Sequence, residues 1–411
     1  MKPIKILVVG TFDTKSDELN YLSECIVKQG ATPVKMDVSV LGDVADKIDV
    51  SKHDVAAAAD KTIDEIIAYG DENQAMQVMA EGSCKMVSKL YAENQFDGLI
   101  CLGGSMATDL ALDITQTLPI GVPKYIISTV AFAAMIPPER LAVDIQMILW
   151  AGGLYGLNSI CKSTLSQAAG SIVGSSRSVE RSKDPKPLIG MTSLGKSCLT
   201  YMVKLKPELE KRGFEVAIFH ATGMGGRAFE ALAAKNEFVA VVDFCTQELG
   251  NWVHGSIINA GSDRLQNAGK AGIPQLIAPG AIDLVDLPTW MPTPKKFITK
   301  ENHVHNRLIN SVSLNSEERV EVAEEMINRF KDSVGPIHVL IPTKGVEQWD
   351  REGQPLYAPE DLNAFNQALI DGSKANKIEH TVLNCHINDD EFVNKALEIF
   401  DGWLEAGIIK K

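Results

Sequence analysis

Lys5-Ile6-Leu7-Val8-Val9-Gly10-Thr11-Phe12-Asp13-Thr14-Lys15 is an apolar run that stops at a glycine and passes into a polar turn. A short apolar run bounded by a turn signal reads as a buried strand, and the spacing of Leu22, Ile26 and Val27 predicts the helix that follows. The grammar repeats at 32–38 (TPVKMDV), 96–104 (FDGLICLGG) and 123–128 (PKYIIS), with helical stretches at 55–69 and 73–93 between them. Strands alternating with helices of this length build a parallel sheet covered on both faces. At 176–187 the text turns charged and Pro-containing (SRSVERSKDPKP), which reads as an exposed linker. Beyond it the pattern restarts with PLIGMTSLGKS, a helix to about 213, FEVAIFHATGMGG, FVAVVDF, GIPQLIAPG and PIHVLIPTKG. The expected fold is α/β, two Rossmann-like domains with mostly parallel sheets, one over 1–180 and one over 187–411. The openings GTFDTK at 10–15 and GMTSLGK at 190–196 hint at duplication.

Composition narrows the function. A chain of 411 residues, 45% hydrophobic and 23% charged, is long enough for two cores and too apolar for disorder. Its net charge of −13 argues against nucleic acid, whose binding needs a basic face. No 18-residue apolar run and no signal-peptide pattern is visible, so the expectation is a cytoplasmic protein without membrane association. Seven scattered cysteines without a CxxC pair suit neither a disulfide framework nor a thiolate metal site.

Ligands of open parallel sheets sit outside the carboxyl ends of the strands, where helix N-termini offer unpaired N–H groups to anions. Three turns suit that chemistry. In the first, Gly10, Thr11, Asp13, Thr14 and Lys15 combine close backbone approach, hydroxyl donors and a cation, without the spacing of a P-loop or a GxGxxG fingerprint. Asp37, ending the second strand, stands where an acid for a ribose hydroxyl belongs, or is simply a strand-end acid facing water. The second turn, Gly103-Gly104-Ser105 with Thr108, is joined by Ser128 and Thr129 at the next strand end; alternatively the Gly pair lets a helix pack close. The third, His220-Ala221-Thr222-Gly223-Met224-Gly225-Gly226-Arg227, reads as a backbone nest with a cationic clamp.

His220, next to that nest, is the first general acid or base, with Glu248 and Arg227 as further catalytic candidates. Thr222, Gly223, Gly225, Gly226, Arg227 and Arg264 are the expected contacts for a small anionic or phosphorylated substrate. His303 and His305 form a His-x-His pair that a carboxylate such as Glu248 or Asp286 would complete into a divalent-metal site, or they are loop histidines making ordinary hydrogen bonds.

GTFDTK, LGGSMATDLA at 102–111, LPIGVPKYIISTVA at 118–131, FHATGMGGRAFE at 219–230, AGSDRLQNAGKAGIPQLIAPGAID at 260–283, HVHN at 303–306 and HINDDEF at 386–392 together resemble one family along the whole chain. That family is the uncharacterised one named for the ATP-binding domain of the tomato mosaic virus resistance protein. The resemblance implies two Rossmann-like domains, a homo-oligomer such as a dimer, and ATP with Mg2+ or another divalent cation as ligand. In the plant protein this region binds a viral replication protein and a barrel resembling phosphoenolpyruvate hydrolases follows it. Since that barrel is not in this sequence, the resemblance implies a separate barrel-domain partner. The chain departs from the pattern at Met106-Ala107-Thr108, in place of Gly-Gly-Thr, and at CTQEL, 245–249. The expected function is ATP binding by an enzyme, or enzyme subunit, acting on a small anionic metabolite at the interdomain cleft; the alternative is a nucleotide-dependent interaction module without catalysis.

Overall fold

The apolar run at 6–9 is enclosed on both faces, as its lack of alternation demands. The structure, a computed structural model, describes residues 3–45, 47–153, 155–180, 184–300 and 302–411. It divides into two compact units, 1–183 and 184–411.

In the first unit β1 (Lys5–Gly10), β2 (Thr32–Asp37), β3 (Gly98–Gly103), β4 (Lys124–Ser128) and β5 (Ile145–Leu149) pair in the order β2-β1-β3-β4-β5. All these pairings are parallel. The connecting helices are α1 (Phe12–Lys28), α2 (Lys52–Ala58), α3 (Ile63–Ile67), α4 (Glu72–Ala92), α5 (Ser105–Thr117) and α6 (Ser159–Ser178). Ile6, Val8, Ile100 and Leu102 pack on Leu19, Leu22, Ala168 and Ile172 on one face of the sheet. Leu7, Val9, Leu99 and Cys101 pack on Val55, Met79 and Leu110 on the other. Each fully buried aliphatic side chain contributes roughly 1.5–3 kcal/mol, so the two faces carry most of this unit's stability.

One predicted helix is two. The stretch 55–69 breaks because Asp60 adopts φ 57° and Thr62 starts a new helix with a capping box to Glu65. The break turns the chain so that Ile66 and Ile67 reach the carboxyl end of the sheet. The charged stretch 176–187 begins inside α6, and its residues 181–183 lie outside the described residues.

In the second unit β6 (Leu188–Ser193), β7 (Glu215–His220), β8 (Ala240–Cys245) and β9 (Gln275–Gly280) precede β10 (Leu284–Pro288), β11 (Asn302–Val304) and β12 (Ile309–Ser313), and β13 (Ile337–Pro342) and β14 (Glu379–Leu383) follow. Six of them form a parallel sheet in the order β7-β6-β8-β9-β13-β14, while β10-β12-β11 make a separate antiparallel sheet that the sequence reading did not foresee. Its helices are α7 (Thr200–Lys211), α8 (Met224–Ala234), α9 (Gln247–Val253), α10 (Asn267–Lys270), α11 (Ser316–Phe330), α12 (Pro359–Ala375) and α13 (Asp390–Glu405). With the antiparallel insertion set aside, both units follow the same order, second, first, third, fourth, fifth strand, and the second unit adds a sixth, β14, at the far edge. That order reverses direction beside the first strand, between β1 and β3 in one unit and between β6 and β8 in the other. Such reversals open the crevices in which doubly wound sheets hold ligands.

Candidate functional site

At the reversal between β1 and β3 lies a cavity of about 440 Å³. Thr11, Thr14, Lys15, Gly104 and Ser105 line its polar side, and Val38, Val40, Leu41, Ile66, Ile67, Ala75, Met76 and Met106 its apolar side. Two helices begin there. Thr11 caps α1 and Gly104 caps α5, and neither provides a side-chain cap; at α1 the Phe12 N–H is taken by Asp37 at 3.1 Å and the Thr14 N–H by the Thr11 carbonyl at 3.2 Å, so among the described residues it is the first N–H groups of α5 that are left for another acceptor. The hydroxyls of Thr11 and Thr14 lie 3.0 Å apart. Lys15 interrupts α1 with φ −127° and ψ 25°, and its ammonium lies 5.8 Å from the centroid of the Trp150 ring. Asp13, Asp71 and Glu72 add carboxylates to the lining.

Not every expected residue reaches this cavity. Asp37 is buried, and its carboxylate accepts from the N–H of Phe12 at 3.1 Å, the N–H of Ser39 at 3.0 Å and the Ser39 hydroxyl at 2.9 Å. It shapes the turn and has no ribose-facing oxygen to offer. Thr108 and Ser128 bond each other at 2.7 Å in the interior, and neither they nor Thr129 line the cavity. Gly10 and Gly103 serve packing: a Cβ at Gly10 would stand 2.8 Å from Leu19, and one at Gly103 would overlap Ala107. Met106, where the chain departs from the family pattern, lines the cavity.

The third glycine turn is built otherwise than expected. Gly223 takes φ 92°, open to glycine at little cost, and its N–H donates to Glu248 Oε1 at 2.6 Å; the Gly226 N–H donates to the same oxygen at 3.1 Å. The nest therefore holds an anion of the protein itself. Glu248 Oε2 accepts from Arg264 Nε at 2.9 Å, and Arg264, fully buried, also forks onto Asp243 and reaches Glu230 at 3.3 Å. Arg227 forks onto Asp263. Burial pushes the Glu230 carboxyl up to about 7 against the pull of Arg264, and raises that of Glu248 in the same way. Glu248, Arg227 and Arg264, expected to meet a substrate, are thus turned into the core as a charge network. Of the expected catalytic set only His220 is exposed, its Nδ1 3.0 Å from the Thr222 hydroxyl.

The metal expectation also changes. His303 and His305 lie beside Trp349, with ring centroids 4.6 and 6.4 Å away. Asp286 is buried with one oxygen held by the Ser311 hydroxyl at 2.6 Å. Among the described residues no group of three or more His, Cys, Asp or Glu stands close enough to hold a metal ion.

Two family models match this chain end to end: the N-terminal domain of the uncharacterised protein family UPF0261 over residues 4–181 and its C-terminal domain over 186–404. The chain belongs to UPF0261. A UPF0261 protein of Brucella melitensis is 52% identical over 407 residues, 99% of this chain and 97% of its own. One of Clostridium tetani is 35% identical over 393 residues, 94% of this chain and 96% of its own. The tomato ToMV susceptible protein tm-1(GCR26) is 29% identical over 427 residues, 96% of this chain but 55% of its own length, which bears out the resemblance drawn from the motifs. A crystal structure of UDP-N-acetylglucosamine 2-epimerase aligns over 67% of this chain and 79% of its own at 10% identity with TM-score 0.25, too loose to carry an argument.

Several site features of this UPF0261 chain left no trace in the sequence. The apolar wall of the cavity comes from 38–41 and from α3 and α4, whose residues look like any core stripe until the break at Asp60 turns them toward the strand ends. Asp283, fully buried after β9, has no hydrogen-bond partner for either carboxylate oxygen among the described residues, and burial together with Asp350 pushes it up to about 7. No described helix is long and apolar enough to cross a membrane.

Proposed function

We propose that the first unit binds ATP, or a closely related phosphorylated ligand, in the cavity between β1 and β3. The observation that carries this reading is the joining, at the strand-order reversal, of the uncapped N-terminus of α5 and the Thr14 and Lys15 side chains of the α1 turn with an apolar wall on the opposite side. Phosphate oxygens suit the N–H groups that follow Gly104 at the start of α5 and the side chains of Thr14, Lys15 and Ser105. A flat base suits Val38, Val40, Ile66 and Met76. The volume lies within the range of small-molecule sites. Mg2+ would be shared between the phosphates and Asp13, Asp71 or Glu72, since that ion keeps much of its water and asks for one or two carboxylates.

What the bound nucleotide serves is read in two ways. As an enzyme, the chain would also bind a small metabolite near His220; the cationic clamp foreseen there is engaged internally, so the metabolite's charge would not be met by Arg227 or Arg264. The interaction-module reading is favoured by Phe132, Met135 and Tyr155, 76%, 67% and 92% exposed on the loops that leave β4 and β5 at the same end of the sheet as the cavity. Large apolar side chains gathered at one rim mark a surface that meets another protein, a second copy of this chain included.

Isothermal titration with ATP, with and without Mg2+, tests the nucleotide reading on the wild type and on Lys15→Ala, Ala75→Phe and Arg227→Ala. Binding should weaken at least about tenfold in the first two, a loss of about 1.4 kcal/mol, and persist in the third. A wild type that binds no ATP even with Mg2+ sinks the proposal.

A further inference from the structure

We propose that the second unit carries a separate binding site for an uncharged polyhydroxylated ring, a monosaccharide or a cyclitol, between the β10-β12-β11 sheet and the segment around Trp349 and Gln354. A cavity of about 270 Å³ lies there.

The register of the small sheet builds one wall. Ser311 pairs with Asp286 on one side and with His303 on the other, and Ser313 pairs with Leu284. Residues directly opposite on antiparallel strands project to the same face, as do residues two apart on one strand. One face therefore presents Leu284, Ser311, Ser313 and His303 together, and all four line the cavity. The facing wall is Trp349, Gln354, Pro355 and Leu356, with Asn302 at the edge. The Trp349 ring meets His303 at 4.6 Å between centroids with the planes tilted by 51°.

The lining chemistry selects the ligand class. Among the described residues no Lys, Arg, Asp or Glu lines the cavity. The nearby Lys300 ammonium is engaged by the Ser313 carbonyl and the Glu318 carboxylate. Beside Ser311 on the same face of the sheet sits buried Asp286, to which the Ser311 hydroxyl donates, so a phosphate or carboxylate would meet a carboxylate and, among the described lining residues, no Lys or Arg. An apolar ligand would strip water from the amides of Asn302 and Gln354 and the hydroxyl of Ser313 without replacing its hydrogen bonds. A flat base prefers a slot between parallel rings, and this pair is tilted. A ring bearing several hydroxyls meets every requirement. Its C–H face packs on Trp349, its hydroxyls both donate and accept, and Asn302 and Gln354 each bring a donor and an acceptor. Ser311, whose proton is committed to Asp286, is left as an acceptor.

Ligand-observed saturation-transfer NMR on the full chain tests this, with D-glucose, D-ribose and myo-inositol as uncharged probes and inorganic phosphate and AMP as charged ones. At least one uncharged probe should receive saturation, and its affinity should fall at least tenfold in Trp349→Ala and in Gln354→Ala but stay unchanged in Lys15→Ala. Response from a sugar alone marks a sugar site; response from inositol alone marks a cyclitol site. Should Trp349→Ala fail to fold, Gln354→Ala decides, because that side chain is exposed. Silence from all three uncharged probes, undiminished binding in Gln354→Ala, or displacement of the bound ring by phosphate would each overturn the proposal.

Discussion

Glu248 and Gly223 are 25 residues apart in sequence and joined by a 2.6 Å hydrogen bond from the Gly223 N–H to Glu248 Oε1. That bond turns a loop that looks like a receptor for external anions into an internal fastening between α8 and α9. Gly226 lies against the same carboxylate, and a Cβ there would run into it. Gly226→Ala should therefore destabilise the second unit by about 1–3 kcal/mol through overpacking, seen as a lower urea midpoint. ATP affinity of the first unit should not change.

Among the described residues Arg264 is the single cation bridging Asp243, Glu248 and Glu230. Replacing it with Met leaves buried carboxylates without their counter-charge, and removing one partner of a buried ion pair costs about 3–5 kcal/mol. Arg264→Met should shift the urea midpoint far more than Lys395→Ala, whose partner Glu398 is exposed. Equal effects of the two would show that the network does not hold the fold.

Stability of the second unit should fall as pH rises. Burial pushes Glu230 and Asp283 up to about 7, and burial with the charge of Asp283 pushes Glu347 up to about 9. The ordinary values are 4.5 for the glutamates and 3.8 for the aspartate, so from those values up to about 9 the folded protein holds protons that the unfolded chain has released. The slope of stability against pH is then negative across this window and levels off above it. Urea unfolding at pH 5.5, 7 and 9 measures the trend, and Glu347→Gln should flatten its upper half.

Met106 stands at the first turn of α5 where the cavity opens. Met106→Gly should leave ATP binding intact or tighten it, whereas Ala75→Phe, filling the apolar side, should weaken it at least tenfold with little change in melting temperature. Parallel titrations of ATP and adenosine separate the two walls: Lys15→Ala should weaken ATP more than adenosine, and Ala75→Phe should weaken both.

Much of the scaffold was legible because it rests on local pattern. Continuous apolar runs at 6–9 and 99–102, each ending in glycine before a helical spacing, can only be buried strands feeding helices, and that placed Thr11, Thr14, Lys15, Gly104 and Ser105 at strand ends. The antiparallel strands escaped the reading because β10 opens with the same apolar letters as a core strand and β11 is three exposed residues. Asp37 and Glu248 escaped it for another reason. A carboxylate at a strand end or beside a glycine turn has the same letters whether it faces a ligand or its own backbone, and the partner that decides, Ser39 or Gly223, is a matter of geometry.

The sequence by itself determined the two α/β units, the rims on which their polar turns lie and the family to which the chain belongs, because strand and helix periods and glycine stops are properties of neighbouring residues. Only the tertiary structure decided which charges face outward. Arg227 and Arg264 are drawn inward by Asp263, Asp243 and Glu248, since a buried cation is tolerated only with carboxylates beside it, and those contacts join residues from 16 to 36 positions apart.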